Sequence, residues 1–502
     1  MTAKQRKHEE APFAGIELRQ AIVDIGSNTV RAVVYGGSAR APVILWNEKV
    51  TARLGEAIAE NGLLSERSFE LALRGLERFA LLFRAFGVEK VDTVATAAVR
   101  EALNGQEFLE QVRSLGLEPR VLTGEEEGTI SAHGVIGAFP GAGGIVADLG
   151  GGSLELVRIA KGDTQDAATL PLGTLRLAEL RAEKGDETRK AIGQCLKKAG
   201  WGKAAGETLY LVGGTFRAMA AYALDRTNYP LSDPHGLSLP ADRAKELAET
   251  LAKTNPNELS QLKRISAMRS EKLPDAAVLL LALIAKLEPE RLVVSAWGLR
   301  EGIIYKGLPA AEQARDPLLA GVAVFGATRG APPAMTARLA GWTAGALCKR
   351  GRGTERLRLA AITLALSAMR IEPNIRLQQA QEWALHKRWI SLLPHERAMI
   401  AATIYANGNE RELPDTISQL ATADDLDDAV GWGLALRLAR RLSGFSREYL
   451  QATSLTMEDD RLVLHLPESY RPLFAIPNEK DLRLLAEHLK LTYEVRIVPG
   501  AS

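Results

Sequence analysis

Short apolar runs and segments of helical periodicity alternate along the first third of the chain. The apolar runs predict strands at residues 20–25, 30–35, 43–47 and 91–95. Residues 66–87 repeat apolar side chains at helical spacing, and Gly87 is placed to end that helix. A short strand at 120–122 leads into a helix from about 125 to 137. This alternation predicts an α/β fold.

Later parts of the chain change pattern three times. The glycine-rich turn at 139–144 predicts a domain boundary, and apolar runs at 144–148, 153–159, 208–212 and 291–295 predict a second α/β unit. From Asp316 to about Ser443 the pattern is almost wholly helical, and the remainder predicts a small α+β tail. We therefore predict four domains, with boundaries at residues 18–140, 141–310, 314–445 and 446–502.

An internal repeat connects the two α/β units. Residues 21–35 and 144–159 share an outline of apolar strand, aspartate, glycine-containing turn and second strand. Asp24 matches Asp148 and Gly26 matches Gly150, at an offset of 124 residues. A duplicated unit of this kind predicts two similar halves that face each other across a cleft.

The residue types in these turns suit phosphate. Glycine lets backbone amides approach an anion, and Ser27, Asn28 and Ser153 add side-chain donors. Asp24 and Asp148, each at a strand end, can hold a divalent cation against a phosphate. A third turn, Gly213-Gly214-Thr215, opens a predicted helix whose N-terminus favours phosphate. The alternative is that these are hairpin and packing turns without a ligand.

Three consecutive glutamates open the helix predicted near residue 125. Thr123 and Glu126 form a capping box, and Glu125 suits the helix dipole, so both have a structural explanation. Glu127 has no equally good structural role, and a carboxylate there could accept a proton from an attacking water. The residues alone leave open whether all three glutamates are structural. Arg100 could steady a phosphoryl oxygen or pair with Glu101.

Composition and charge narrow the classes of function. Lysine and arginine number 63 against 61 acidic residues, so bulk charge predicts no nucleic-acid binding. Cys195 and Cys348 form no disulfide framework, which suits a reducing compartment. The longest apolar runs are shorter than a membrane span and no secretory signal is evident, so we expect a cytoplasmic protein. Neither a P-loop nor a Rossmann glycine motif is present.

Together these motifs resemble the exopolyphosphatase/pentaphosphate phosphohydrolase family of the actin-like ATPase superfamily. The matching segments cover roughly residues 18–308 in family order: DIGSNT at 24–29, ATAAVREALN at 95–104, GEEEG at 124–128, DLGGGSLEL at 148–156, VGGT at 212–215, HG at 235–236 and SAWGLREG at 295–302. The resemblance implies two ribonuclease-H-like halves facing a cleft, followed here by a helical domain and a small α+β C-terminal domain.

The resemblance also implies residue roles. Glu127 would be the general base, Arg100 would contact the scissile phosphate, and Asp24, Asp148 and Glu155 would organise Mg²⁺. Residues with matching positions would hold the phosphates: Ser27, Asn28, Gly150, Gly151, Gly152, Ser153, Gly213, Gly214 and Thr215. A homodimer is expected by resemblance only.

Two departures from the family pattern bear on function. Long family members carry a helical domain related to HD phosphohydrolases, but this chain has no His-Asp dipeptide, so we expect no metal pair there. Residues 271–274 read Glu-Lys-Leu-Pro where relatives place consecutive arginines, which weakens nucleotide recognition. The remaining basic residues offered as phosphate contacts are Arg176, Lys263, Arg264, Arg269 and Arg300.

The leading hypothesis is a Mg²⁺-dependent exopolyphosphatase that removes the terminal phosphate of inorganic polyphosphate. A guanosine pentaphosphate 5′-phosphohydrolase is the alternative within the same class of enzyme. Two hypotheses from other classes also remain. One is an actin-like nucleotide-binding protein that uses the same two turns, and the other is a polyphosphate-binding scaffold that does not hydrolyse its ligand.

Overall fold

The computed structural model describes residues 20–262, 264–347 and 355–499. The chain forms two compact units. Unit one runs to Tyr229 and resumes over Asp233–Arg315, and unit two consists of Pro230–Ser232 and the residues from Asp316 onward. Within the described ranges, no helix combines the length and apolar character that crossing a membrane requires.

The first half of unit one is built on a five-stranded sheet in the order β3-β2-β1-β4-β5. β1 pairs antiparallel with β2 and parallel with β4. Its strands are β1 (Gln20–Ile25), β2 (Val30–Gly37), β3 (Pro42–Val50), β4 (Lys90–Ala95) and β5 (Pro119–Val121). The carboxyl ends of β1 and β4 therefore lie side by side and define one edge of the sheet.

The second half repeats this arrangement. Its six strands have the order β10-β11-β9-β6-β7-β8, in which β8-β7-β6-β9-β11 reproduces the pattern of the first sheet. They are β6 (Gly144–Leu149), β7 (Leu154–Ala160), β8 (Asp163–Leu170), β9 (Thr208–Val212), β10 (Ser238–Pro240) and β11 (Arg291–Val294). β6 pairs antiparallel with β7 and parallel with β9, so the duplication predicted from the repeat is confirmed.

Helices cover both sheets of unit one. They are α1 (Ile58–Asn61), α2 (Glu66–Phe86), α3 (Ala97–Glu101), α4 (Gly105–Ser114), α5 (Gly124–Ala138), α6 (Thr174–Lys184), α7 (Thr188–Lys198), α8 (Gly214–Arg226), α9 (Ala241–Leu251), α10 (Pro256–Ser260), α11 (Ala267–Ser270), α12 (Leu273–Leu287), α13 (Leu299–Lys306) and α14 (Ala310–Gln313). The predicted stop of α2 is confirmed, because Gly87 adopts a left-handed φ of 65° and its amide donates to the carbonyl of Phe83.

Two glycines let α5 and α13 approach closely. A Cβ added to Gly302 would lie 1.8 Å from the carbonyl oxygen of Ile130, and one added to Gly134 would lie 2.3 Å from that of Gly298. No side chain fits at either position, so the crossing requires glycine. This packing fixes the start of α5, which carries the three glutamates, relative to the start of α13.

Unit two contains a helical part and a small sheet. Its helices are α15 (Pro317–Ala327), α16 (Pro333–Leu347), α17 (Glu355–Ser367), α18 (Pro373–Leu385), α19 (Pro394–Asn407), α20 (Asp415–Ser418), α21 (Ala423–Ser443), α22 (Arg447–Ala452) and α23 (Ile476–Leu489). The sheet has the order β12-β13-β14, formed by β12 (Ser454–Glu458), β13 (Arg461–Pro467) and β14 (Thr492–Val498). β13, α23 and β14 form a β-α-β unit with parallel strands, as the tail pattern predicts.

Several elements lie where the pattern predicts none. β8 is an edge strand of mixed polarity that pairs only with β7, so its sequence lacks the alternation of a half-buried strand. β12 lies at the edge of the small sheet. The helices α4, α6 and α7 also lie outside the predicted segments. Cys348 and Lys263 fall outside the described residues.

Candidate active site

The two repeated turns close in the same way. In the first, the amide of Gly26 donates to the carbonyl of Thr29 at 3.1 Å, and in the second the amide of Gly150 donates to that of Ser153 at 3.0 Å. Both pairs are separated by the repeat offset of 124 residues. Cross-strand pairing then places Asp24 and Asp148 at equivalent positions, each at the end of its first strand.

The turns of the two halves touch each other. A Cβ added to Gly151 would lie 3.1 Å from Cβ of Ser27, and one added to Gly152 would lie 3.2 Å from its Oγ. Neighbouring segments fix both turns, because the carbonyl of Ser27 accepts from Gly55 and that of Gly151 accepts from Leu175. The halves therefore face each other across these turns, as the repeat predicts.

A cleft of about 230 Å³ opens between the turns. Eleven of the fourteen residues to which the resemblance gives a role line it: Asp24, Ser27, Asn28, Glu127, Asp148, Gly150, Gly151, Gly152, Ser153, Gly214 and Thr215. The lining is dominated by backbone amides, hydroxyls and charged side chains. Such a surface suits a strongly charged, hydrogen-bonding ligand.

The other three of these fourteen residues do not line the cleft and lie next to residues that do. Arg100 donates from Nη1 to the carbonyl of Leu122 at 2.7 Å and lies 3.6 Å from Oε2 of Glu127. Glu155 is buried and pairs across the strands with Asp148. Gly213 has a φ of 106°, and a Cβ there would lie 2.6 Å from the carbonyl of Leu149. These residues are placed to support the cleft wall from behind.

Carboxyl groups crowd one end of the cleft. Burial, together with the neighbouring Asp148, raises the pKa of Glu127 to about 8. Burial, followed by the charges of Glu127 and Asp148, raises the pKa of Glu155 well above its usual range. Burial also raises the pKa of Asp148, although a hydrogen bond from Ser131 opposes that shift. Simultaneous ionisation of these three carboxyl groups is therefore disfavoured unless a cation compensates their charge.

The same carboxyl groups suit a hard divalent cation. Oε2 of Glu127 and Oε1 of Glu155 are buried and accept no hydrogen bond from the residues that the structure describes. Mg²⁺ takes oxygen ligands and commonly needs only one or two carboxylates beside substrate phosphates and waters. Across the described residues, no three acidic, histidine or cysteine side chains converge as a complete cage. The donor set thus fits an ion that is shared with a phosphate ligand.

Basic side chains line the rest of the cleft. Arg300 pairs with Asp24 at 3.0 Å, and Arg269 lines the wall as proposed. Arg264 does not line the cleft, and Arg176 pairs instead with Glu101.

The sequence interpretation missed four further basic residues that line the cleft: Arg31, Lys49, Arg217 and Lys272. The repeat could have flagged Arg31, which pairs across the strands with Asp24 as Glu155 does with Asp148.

The model of the Ppx/GppA phosphatase family matches residues 33–311, more than half of the chain. The chain belongs to the Ppx/GppA phosphatase family. Apart from Pro230–Ser232, the matched residues belong to unit one, and they include Glu127, Asp148 and the second and third glycine turns. The family predicted by resemblance is therefore confirmed.

Curated and solved Ppx/GppA relatives cover the same part of the chain. Exopolyphosphatase 1 of Mycobacterium bovis is 26% identical over 309 residues, which is 58% of this chain and 88% of that protein. Exopolyphosphatase 1 of Mycobacterium leprae is 27% identical over 308 residues, with 58% and 90% covered. The crystal structure of the Aquifex aeolicus family member has a TM-score of 0.51 and 28% identity, and covers 60% of this chain and 99% of that one. The fold class of two actin-like halves facing a cleft is confirmed.

Proposed function

We propose that the protein is an exopolyphosphatase that releases orthophosphate from the ends of inorganic polyphosphate. The proposal rests on one property of the cleft: it offers many cations and backbone donors, but no aromatic side chain among the described residues that line it. The family includes phosphatases of this kind, and the curated relatives carry that name.

Four of the cleft-lining cations are available to a ligand. Arg31, Lys49, Arg269 and Lys272 form no hydrogen bond or ion pair through their charged groups within the described part of the chain. Burial lowers the pKa of Arg269, and burial with the nearby charges of Arg269 and Arg31 lowers that of Lys49. Such mutual repulsion is relieved when an anion binds among these groups.

The cleft offers little to a nucleoside. Among the described residues, no phenylalanine, tyrosine or tryptophan lines it. Proteins commonly hold an unpaired base by stacking it on an aromatic ring, whereas the arginines of this cleft suit the oxygens of phosphate. A chain of phosphates, by contrast, needs charge and donors along its whole length. This combination favours inorganic polyphosphate over guanosine pentaphosphate.

In the proposed reaction, water attacks the terminal phosphorus and Glu127 accepts the proton of that water. The raised pKa makes Glu127, once ionised, a stronger base than an ordinary carboxylate. The bond to the bridging oxygen breaks, and this oxygen keeps the electron pair as part of the chain shortened by one phosphate. Amides of the glycine turns are preorganised to stabilise charge on the transferred group. Arg100 positions the Glu127 carboxylate from behind.

We also propose Mg²⁺ as the cofactor, held by Asp24 and Asp148 together with the substrate phosphates. When bound, the ion would neutralise charge on the phosphate oxygens. Glu155, whose buried Oε1 accepts no hydrogen bond from the described residues, would complete the carboxylate set beside Asp148. A cytoplasmic location and a homodimer remain expectations from the composition and from the family resemblance, respectively.

The deciding experiment compares two substrates at matched ionic strength. Phosphate release from long polyphosphate should exceed release from guanosine pentaphosphate by at least about tenfold in kcat/KM, equivalent to about 1.4 kcal/mol. Equal or reversed preference would assign the cleft to the nucleotide. Release from neither substrate would favour a binding protein.

The salt dependence of polyphosphate affinity tests whether the basic residues of the cleft bind several phosphates of one polyphosphate chain. Binding of a polyanion releases counterions, so the affinity for polyphosphate should fall steeply with salt. Removing one phosphate contact should lower that slope by about 1, which is our expectation for Lys49→Gln. Lys245→Gln, an exposed lysine on α9, is the charge-matched control and should leave the slope unchanged.

A glycine beside the second turn provides a test of the phosphate cradle. A Cβ added to Gly173 would lie 2.3 Å from the amide nitrogen of Ser153 and 2.4 Å from the carbonyl of Gly151. Gly173→Ala should therefore displace the turn, and misplacement of a reacting group by about 1 Å costs roughly 10²-fold. We expect a loss of this size in kcat/KM for polyphosphate, measured by phosphate release.

The control is a glycine that has room for a side chain. A Cβ at Gly193, within α7, meets no atom within 4 Å. Gly193→Ala should keep full activity and raise the free energy of unfolding by about 0.5–1 kcal/mol, since alanine is the better helix former. If Gly173→Ala were as active as Gly193→Ala, the second turn would not hold substrate.

A further inference from the structure

Unit two contains a cluster of arginines at the end of α21, and none of them is among the residues that line the cleft. Arg437 and Arg441 both donate to the same carboxylate, that of Asp481 on α23, at distances of 2.9–3.1 Å. Asp481 is almost fully buried. One carboxylate therefore serves two guanidinium groups.

Arg440 lies between these residues and has no such partner. Its Nε is buried without a hydrogen bond, and its guanidinium forms no hydrogen bond or ion pair in the part of the chain described. Burial, followed by the charges of Arg437 and Arg441, lowers its pKa to about 10, although Asp481 opposes that shift. The charged form of Arg440 is therefore disfavoured both by the loss of hydration and by repulsion from the neighbouring arginines.

A fourth arginine adds to the imbalance. Arg376 on α18 is close enough to lower the pKa of Arg440 further. Its own guanidinium donates to the carbonyls of Met369 and Ile371, so it has a structural role and no acidic partner. Among the described residues, Asp481 is the one carboxylate that accepts a hydrogen bond from any of these four guanidinium groups.

The helix dipole does not account for Arg440. Basic residues are favoured in the last turn of a helix, and α21 ends at Ser443 with Gly444 in the left-handed conformation. That effect explains a positive charge near this end but provides no acceptor for a half-buried guanidinium. Burying a charge without a partner costs desolvation free energy, and this cost lowers the stability of the folded state.

An oxyanion would supply the missing acceptor. Guanidinium groups present several N–H donors in a planar fork that matches phosphate oxygens, often in a bidentate arrangement. We propose that Arg440, with Arg437 and Arg441, forms a phosphoryl-binding site on unit two from residues that do not line the cleft. Its ligand is either free orthophosphate or one phosphate unit of a polyphosphate chain. The site does not depend on what the cleft hydrolyses.

Hydrogen exchange of the full-length protein tests the site locally. In Glu127→Gln, which preserves added polyphosphate, orthophosphate or polyphosphate is compared with chloride at equal ionic strength. At ten times the dissociation constant, exchange at the end of α21 and in α23 should slow by up to about tenfold. Adding Arg440→Gln should abolish the slowing, whereas Arg447→Gln, an exposed arginine on α22, should preserve it.

Comparing orthophosphate with polyphosphate shows which of them supplies the bound phosphoryl group. Slowing with both assigns a site open to free orthophosphate, and slowing with polyphosphate alone assigns a site for the chain. Slowing with neither, or equal slowing after Arg440→Gln, would overturn the proposal.

Stability without ligand provides an independent readout. Arg440→Met removes the unpaired charge but keeps much of the side-chain bulk, so Tm in phosphate-free buffer should rise by about 2–4 °C. Added phosphate should then raise Tm less than it does in the wild type. A structural arginine would behave in the opposite way, because its removal would lower Tm, and that result would also overturn the proposal. If the variant fails to fold, Arg440→Lys keeps the charge without the fork and should still lose phosphate-dependent protection.

Discussion

Replacing Glu127 with glutamine should lower kcat for polyphosphate hydrolysis by about 10²- to 10⁴-fold, the range expected when a general base is removed. Glutamine keeps the size of the side chain and its place in the first turn of α5, but it cannot accept the proton from water. The side chain lies at the acidic end of the cleft, 3.6 Å from Nη1 of Arg100. Binding of polyphosphate should remain close to that of the wild type, measured by titration with a chain that is not turned over.

Glu126→Gln is the matched control for this prediction. Glu126 is exposed, and its Oε2 accepts from the amide of Thr123 at 2.9 Å while its own amide donates to Oγ1 of Thr123. Glutamine can keep both interactions of this capping box, so the variant should remain active. Retention of more than about a tenth of the wild-type rate by Glu127→Gln would remove Glu127 from the mechanism.

Arg300→Gln should destabilise unit one by about 3–5 kcal/mol, the cost of removing one partner from a buried ion pair. Nη1 of Arg300 donates to Oδ2 of Asp24 at 3.0 Å. Although burial alone would lower the pKa of Arg300, Glu301, Tyr35 and Asp24 hold it above its usual range. Losing this cation removes the charge that attracts the buried Glu301 and leaves the half-buried Asp24 with Arg31 alone in the described part of the chain. The shift in the urea midpoint of unit one measures the effect.

The control for Arg300→Gln is an ion pair with greater exposure. Arg176 and Glu101 form a pair whose side chains are 36% and 35% exposed. Arg176→Gln should cost no more than about 1 kcal/mol, because water solvates and screens such a pair. Arg300→Lys should recover part of the lost stability, since it restores charge without the planar fork. Equal losses for Arg300→Gln and Arg176→Gln would contradict the role assigned to Arg300.

Local patterns were sufficient for much of the site. The amide-to-carbonyl closure of both turns follows from the short segment between Gly26 and Thr29 and from its repeat. The capping box of α5 needs only Thr123 and Glu126, and both of its hydrogen bonds are present. These features depend on contacts between residues a few positions apart, so a repeat or a spacing in the sequence reveals them.

Apart from Arg31, which the repeat aligns with Glu155, the basic wall of the cleft carries no such signal. Arg31, Lys49 and Lys272 lie on β2, on β3 and just after α11, and no spacing connects them. Only the sheet pairing and the approach of the second half bring these three segments to one surface. Arg269 was proposed from the sequence only as one of several scattered basic residues. The sequence gives Arg176 the same support as Arg269, but in the folded chain Arg176 forms an ion pair with Glu101.

The sequence by itself determined the duplicated α/β halves, the glycine turns and the identity of the family, because all three are written in local residue types and in their repetition. The tertiary structure alone decided which charges meet. It placed Arg100 behind Glu127, paired Arg300 with Asp24, and left Arg440 without a partner beside Arg437 and Arg441. The physical reason is that charged side chains act through distances of a few ångströms, and such distances between remote residues exist only after the chain has folded.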